Sequence, residues 1–494
     1  MSEQTLPVLI PSIYLGAGIL IPLLGLRIRG LVYPLALVGA AAAMLTSFQG
    51  LFDVLATGPM IHHMGGWAPP VGIVFVLDRL SAFVVSIVTG IGFLVIVYAR
   101  HSILDDTPQR FTVVYSLSML LMAGLTGMIL TGDMFNLYVW LEISSLSAYA
   151  LIAAGDRRGA VAAYRYLILG SLGGGFYLLG VGFLYFATGT LNMADMAELL
   201  PALQDSSVVL AGAVMIVLGL SLKMALFPLH LWLPDAYAFA PQAVSSLIAP
   251  IMTKVAAYSL IRMVLDVFGI EYLRESVPVL SVVGWLGAAG IIVGSLWAMA
   301  QKDYRRMLAF SSVSQVGYIA VGIGMGTTLG MVGALLHILN HATMKACLFL
   351  VGGSVSLKAK VLEVAQFGGL GRQMKWTMVA FTIGAMSMIG VPPTAGFFSK
   401  WYLVRGGIQA GNWVFIVVIL ISSLLTAIYF FRLIEQVYRD ESQNENAPEP
   451  VGEAPASMFV PTVVLALLIV ALGFGNAVIV THLLEPVASA VGGM

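Results

Sequence analysis

Four lysines, Lys223, Lys254, Lys345 and Lys400, lie inside otherwise apolar stretches of this 494-residue chain, and a single glutamate, Glu142, shares that setting. A charge at the centre of a bilayer costs about 3 kcal/mol even on the mildest insertion scale, so such groups face a protein interior, pair with one another and mark ion or proton pathways. A row of titratable groups spread along one chain therefore points to proton or cation conduction.

Glu142 lies mid-helix in Trp140-Leu141-Glu142-Ile143-Ser144-Ser145, and the nearest opposite charge in a folded bundle is Lys223. An opposite charge keeps a buried carboxylate ionised, and a changing Glu142–Lys223 distance would switch the lysine between holding and releasing its proton. A structural salt bridge between two helices is the plainer reading, weakened because desolvation often exceeds the Coulomb gain of a buried pair. Lys223 precedes a proline break in Lys223-Met224-Ala225-Leu226-Phe227-Pro228.

His337, His341 and Lys345 recur at i, i+4 and i+8. They share one helix face over about 12 Å at 1.5 Å per residue. Histidine titrates near neutrality, which suits proton relay; structural hydrogen bonding and a zinc site are the rivals. Two His at i, i+4 can bind zinc, but no third ligand is near in sequence and Lys345 would repel a cation. Lys400 follows a second break, Pro392-Pro393, with no acid near it in sequence, and is a candidate terminal site. Lys254 falls between the two halves and could bridge them. His230, beside the first break, either helps admit water or caps the broken helix.

Long apolar helices must position these groups. Hydrophobic residues make up 59% and charged residues 10% of the chain, against about 25% charged in a soluble domain. The formal net charge of +0 argues against a nucleic-acid partner, and one cysteine, Cys347, excludes a disulfide framework and a self-contained Fe–S cluster. The first apolar stretch, near Pro7, lacks a basic flank and reads as a true span.

At about 20 apolar residues per crossing, the sequence predicts about fourteen helices: 8–26, 31–52, 78–98, 112–131, 133–154, 163–187, 208–240, 243–265, 277–300, 306–326, 328–353, 376–405, 412–437 and 457–484. The seventh is interrupted by Pro228 and Pro234, the twelfth by Pro392 and Pro393. Proline removes a backbone donor and clashes with the preceding turn, and broken helices in corresponding places of two halves point to a transport site. Connections after odd-numbered helices carry sixteen basic residues and the other side four, Arg79, Arg262, Arg274 and Arg405. The positive-inside rule then places both termini outside the cytoplasm. Gly65–Pro70 and Val71–Val76 read as an ordered turn and short strand, Asn192–Asp205 as a surface loop or short amphipathic helix, and the acidic run Asp440–Glu453 as a solvated linker or a partner-docking segment.

Together these features resemble the antiporter-like subunits shared by respiratory complex I, membrane-bound hydrogenases and Mrp cation/proton antiporters. The segments that carry the resemblance are Trp140-Leu141-Glu142, Leu222-Lys223 through Phe227-Pro228-Leu229-His230-Leu231-Trp232-Leu233-Pro234-Asp235-Ala236, Tyr304–Tyr318 and Gly390-Val391-Pro392-Pro393. The resemblance implies an all-α polytopic membrane protein with two inverted five-helix repeats, each forming a half-channel. The chain then divides into 1–111 (helices one to three), 112–265 and 266–437 (the repeats), and 438–494 (acidic linker and last helix).

Carried over residue by residue, Glu142 matches the helix-five glutamate, Lys223 the helix-seven lysine and Lys254 the helix-eight bridging group. His337, His341 and Lys345 match the helix-eleven relay, and Lys400 the helix-twelve terminal residue, where some members have glutamate. Gly65–Val74 followed by Asp78-Arg79-Leu80-Ser81-Ala82 looks most like the D-type chain of Mrp antiporters. That likeness implies partners resembling Mrp A, B, C, E, F and G, transport of H⁺ and indirectly Na⁺, a cell-membrane location, and no resident cofactor or metal.

Three functions compete. The first is a proton-translocating subunit of an Mrp-type Na⁺/H⁺ antiporter. The second uses the same residues in a redox-driven complex, a hydrogenase or complex I relative, and differs in whether Fe–S proteins co-purify. The third, a stand-alone carrier of an organic solute, needs a convergent polar pocket, whereas the lysines are spread out. An inert scaffold needs no buried lysines.

Overall fold

The computed structural model describes residues 5–439 and 451–489, and it is built almost wholly from helices. In chain order α1 spans Leu6–Gly25 and α2 Val32–Thr57; then come β1 (Met60–His63), β2 (Val74–Leu77), α3 (Arg79–Asp106), α4 (Phe111–Leu130), α5 (Met134–Ala153) and α6 (Arg157–Thr188). The middle holds α7 (Met193–Leu199), α8 (Ser207–Lys223), α9 (Leu233–Phe239), α10 (Gln242–Arg262), α11 (Val279–Ala300), α12 (Tyr304–Gly324) and α13 (Thr328–Ala359). The last third holds α14 (Leu370–Gln373), α15 (Lys375–Ile389), α16 (Ala395–Gln409), α17 (Trp413–Tyr438), α18 (Ala456–Phe474), α19 (Asn476–Ile479) and α20 (Glu485–Ala488).

Among the described residues, twelve helices (α1 to α6, α10 to α13, α17 and α18) are long and apolar enough to cross a bilayer. Twelve continuous spans thus stand where the sequence suggests about fourteen helices. The expected seventh span is α8 and α9 separated by residues 224–232, and the expected twelfth is α15 and α16 separated by residues 390–394. The expected last span, 457–484, also ends early, at Phe474, before Gly475 and a π-helical turn over Val480–Leu484.

Side-chain caps fix several helix starts, including one that hydropathy misplaces. Asp156 accepts from the amides of Arg158 and Gly159, so α6 starts six residues before the expected 163 and takes two arginines into its first turn. Asp78 and Ser81 form a capping box at α3, and Asp133, Asp303 and Thr327 cap α5, α12 and α13. Each satisfies an amide that the first helical turn leaves without a partner.

The turn read at Gly65–Pro70 lies inside an antiparallel hairpin, with Met60 opposite Leu77 and His63 opposite Val74. Its first strand, Met60–His63, carries no apolar–polar alternation in its residue types. Asn192 caps α7, so the short-helix alternative holds in that loop. Residues 440–450 of the acidic run lie outside the described residues. Glu453, at its end, is not a solvated linker residue: its carboxylate accepts from the amides of Trp376 and Thr377, the exposed N–H groups that open α15.

Small residues bring backbones together at two helix–helix contacts. A Cβ on Gly219 of α8 would lie 2.6 Å from the Gly173 carbonyl of α6, and one on Gly287 of α11 would lie 2.9 Å from the Gly317 carbonyl of α12. Such close approach is a common basis of helix association in lipid. At one end of the bundle, Arg262, within the expected span 243–265, is the buried last residue of α10. Its guanidinium lies 2.5 Å from Asp78 and 2.5 Å from Asp266, pinning α10 to the start of α3.

Candidate functional site

All four membrane lysines are buried, at 0–6% exposure, and each ammonium meets a different set of acceptors. Lys223 closes α8, where Ala225 takes a left-handed φ of 60°. Its Nζ lies 3.8 Å from Glu142 Oε1 and donates to Ser145 Oγ at 2.7 Å. Glu142 and Ser145 are three residues apart on α5, so they share a face. Glu142 is the more open partner, with 25% side-chain exposure against 5% for Lys223. A Cβ on Gly174 of α6 would collide with Glu142 Oε1, so glycine makes the room that the carboxylate occupies.

Between α8 and α9 the chain is held by side chains. Trp232 stacks on Tyr166 with ring centroids 3.9 Å apart, and its indole N–H donates to the Leu222 carbonyl at 3.0 Å. That bond satisfies one of the carbonyls that a helix C-terminus leaves free. Beside that cap, His230 stacks on Phe227 at 5.4 Å and meets Trp297 at a tilt at 5.5 Å.

The second break is held differently. Lys400, in the second turn of α16, donates back to the carbonyls of Met388 and Ile389 at 3.0 and 2.9 Å, and to Ser423 Oγ of α17 at 3.1 Å. It thereby places positive charge at the C-terminal, partially negative end of α15. Asn340 of α13 ties the same junction by donating to the Ala395 carbonyl at 2.6 Å.

The histidine stripe runs along α13 between these poles. His337 Nδ1 lies 2.9 Å from Ser399 Oγ, and its ring stacks on His341 with centroids 5.8 Å apart. Tyr318 of α12 faces His337 at 5.3 Å, and the Lys400 ammonium sits over the same Tyr318 ring at 5.1 Å. Lys345 Nζ donates to the Leu308 carbonyl and to Ser311 Oγ, each at 2.5 Å. Lys254 donates to the Ala249 carbonyl at 2.8 Å.

α10, which carries Lys254, packs against α13, and Lys400 and His337 meet the same Tyr318 ring. The residues therefore fall into two groups, a Glu142–Lys223–Ser145 group at the first break and a Lys254–His341–Lys345–His337–Lys400 group around α13. Among the described residues, Lys223 is the one membrane lysine in an ion pair with a carboxylate. The hydroxyls of Ser145, Ser311, Ser399 and Ser423, which complete these contacts, do not stand out in the sequence. Their available signal is adjacency: Ser145 follows Glu142 by three positions and Ser399 precedes Lys400.

Several buried polar atoms beside these groups have no hydrogen-bond partner among the described residues. They include Tyr149 OH near Glu142, Thr253 Oγ1 beside Lys254, both ring nitrogens of His341, and both amide atoms of Gln315. Polar groups unpaired in an apolar interior are costly. Their placement makes the interior of the bundle polar along the lysine row.

Fold and site together define a polytopic helical membrane protein whose helices are interrupted beside buried lysines. Residues 131–426 match the family described as NADH:quinone oxidoreductase/Mrp antiporter, TM, and the chain belongs to that family. It is 49% identical over 460 residues to the N-type chain of an NADH-quinone oxidoreductase from Desulforudis audaxviator, covering 91% of each chain. It is 30% identical over 481 residues to the D-type chain of a Na⁺/H⁺ antiporter from Alkalihalophilus pseudofirmus, covering 97% of this chain and 95% of that one. A solved Mrp complex from Dietzia sp. contains a similar chain, with a TM-score of 0.88 and 26% identity over 100% of this chain and 97% of that one.

Proposed function

We propose that this chain is a proton-translocating subunit of a hetero-oligomeric membrane complex, an Mrp-type antiporter exchanging Na⁺ for H⁺. The observation that carries the reading is the Glu142–Lys223 pair, 3.8 Å apart at the end of a helix that stops inside the membrane bundle. A proton leaves or joins Lys223 as its distance from Glu142 changes. Lys254, His341, Lys345 and His337 then relay charge to Lys400 at the second break. The two breaks belong to repeats of 112–265 and 266–437, with the face rich in arginine and lysine towards the cytoplasm. The likeness to a chain of a Na⁺/H⁺ antiporter and to a chain of a solved Mrp complex supports antiport as the driving chemistry. We assign the sodium path to a partner subunit, since this chain has few carboxylates inside its apolar spans and Glu142 is the one near the middle of a span.

In the second reading the same row serves a redox-driven complex, supported by the 49% identity to a chain named for NADH-quinone oxidoreductase. The test has two parts. In the intact complex, Glu142→Gln and Lys223→Ala should each abolish proton transport while the complex still assembles; retained transport in either sinks the pathway. Mass spectrometry of the complex purified from its native membrane separates the two hosts. Cofactor-free small membrane subunits support antiport, whereas iron-, nickel- or flavin-bearing partners support the redox machine.

A further inference from the structure

Gln315 is fully buried in α12, and neither its amide oxygen nor its amide nitrogen has a hydrogen-bond partner among the described residues. Its position in the packing of α12 on α13 shows what it faces. Two cross-bridges join these helices: Lys345 to Leu308 and Ser311 at one point, and His337 against Tyr318 at the other. On α12, Gln315 is four residues after Ser311 and three before Tyr318. On α13, His341 is four residues before Lys345 and four after His337. Positions 308, 311, 315 and 318 share one helix face, as do 337, 341 and 345. Gln315 and His341 therefore occupy the middle of the same interface, and the two ring nitrogens of His341 also lack partners.

Four unpaired buried polar atoms in one short stretch call for a polar occupant that gives and takes hydrogen bonds, and buried water, with about three bonds each, is the ordinary one. From this geometry we infer that the Gln315 amide is a positioning residue of the proton pathway, holding water against His341 so that a hydrogen-bonded chain joins Lys345 to His337. The stacked rings of His337 and His341, with centroids 5.8 Å apart, share no hydrogen bond, so a bridging molecule is needed to link them. Glutamine fits the task because it donates and accepts without a charge of its own, and so orders water without trapping a proton.

The inference rests on the conduction reading proposed above, and its test separates the two. Gln315→Met keeps length and apolar volume and removes every hydrogen bond. In the intact complex it should lower proton transport by about tenfold or more, the scale of one lost hydrogen bond in a rate, while thermal stability stays level or rises. A mere packing residue gives the opposite pattern, with transport retained or falling only in step with stability. If Glu142→Gln abolishes transport and Gln315→Met leaves it intact, the role of Gln315 fails and the pathway stands. If Glu142→Gln leaves transport intact, the pathway itself fails. High-resolution electron microscopy of the unaltered complex decides independently of assembly of the variant. Density for water within hydrogen-bond distance of both Gln315 and His341 upholds the inference, and a dry contact overturns it.

Discussion

The Lys223 ammonium is closer to a hydroxyl than to its counter-ion: Ser145 Oγ stands at 2.7 Å and Glu142 Oε1 at 3.8 Å. The serine takes the short, directed bond and the glutamate supplies charge from beyond hydrogen-bond range. A lysine so held can let the carboxylate move without losing its last partner, which suits a switch better than a tight salt bridge does.

Ser145→Ala tests that division of labour. Removing the hydroxyl deprives a charged donor of its nearest acceptor, a loss of about 1.5–3 kcal/mol. The ammonium should then close on Glu142 and hold it more firmly. Proton transport by the intact complex should slow by about tenfold or more, short of the full loss expected for Glu142→Gln. Unchanged transport in reconstituted vesicles would leave Ser145 as a bystander.

Gly174 and Gly175 form a matched pair for the carboxylate. A Cβ at 174 would overlap Glu142 Oε1, whereas one at 175 meets nothing within 4 Å. Gly174→Ala should therefore displace the carboxylate and cut transport severely, and Gly175→Ala should leave it near normal. Both substitutions raise helix propensity equally, so a common effect of the two would point to the helix and not to the carboxylate.

The contrast between these contacts and the rest explains how far the sequence could be read. Pro228, Pro234, Pro392 and Pro393 announce both breaks because proline has no amide to give, and Glu142 has one plausible cation in Lys223. The cap on α8 could not be seen: Trp232 reaches Leu222 ten residues back only after the chain has folded through the break. Ser311 and Ser423 are ordinary helical serines until α13 and α16 carry a lysine to them. Glu453 reads as part of a solvated acidic run because its partners, the opening amides of α15, are distant in sequence. Hydropathy sees the side chain and the local period; these bonds are made by tertiary placement.

Away from the membrane interior, Asp78 gives a pH-dependent prediction. Burial alone would raise its pKa, but the Arg262 guanidinium and hydrogen bonds from Arg262 and Ser81 outweigh that and hold the carboxyl below its ordinary value. A carboxyl depressed on folding stabilises the folded state above the ordinary carboxylate range and loses that contribution as pH falls through its folded value. The heat stability of the complex should therefore fall on acidification below about pH 4. Asp78→Asn should be less stable at neutral pH, and its gap from the unaltered protein should narrow as pH drops. A gap that stays constant from about pH 7 to about pH 3, across the ordinary carboxylate range, would show that the Asp78 charge contributes nothing.

Lys400 invites a last separation, between holding the break together and carrying a proton. Its ammonium bonds the Met388 and Ile389 carbonyls that end α15, and both roles predict damage when the side chain is lost. Lys400→Met leaves two buried carbonyls short of a donor, so thermal stability should fall by the equivalent of about 1–3 kcal/mol. Lys400→Gln keeps an N–H donor but cannot release a proton at physiological pH. If Lys400 is a terminal carrier, the glutamine variant should keep more of the stability than the methionine variant and still lose transport. If it is only a cap, glutamine should restore both together. The decisive quantity is transport in the glutamine variant at matched stability, because the cap alone cannot account for a loss there.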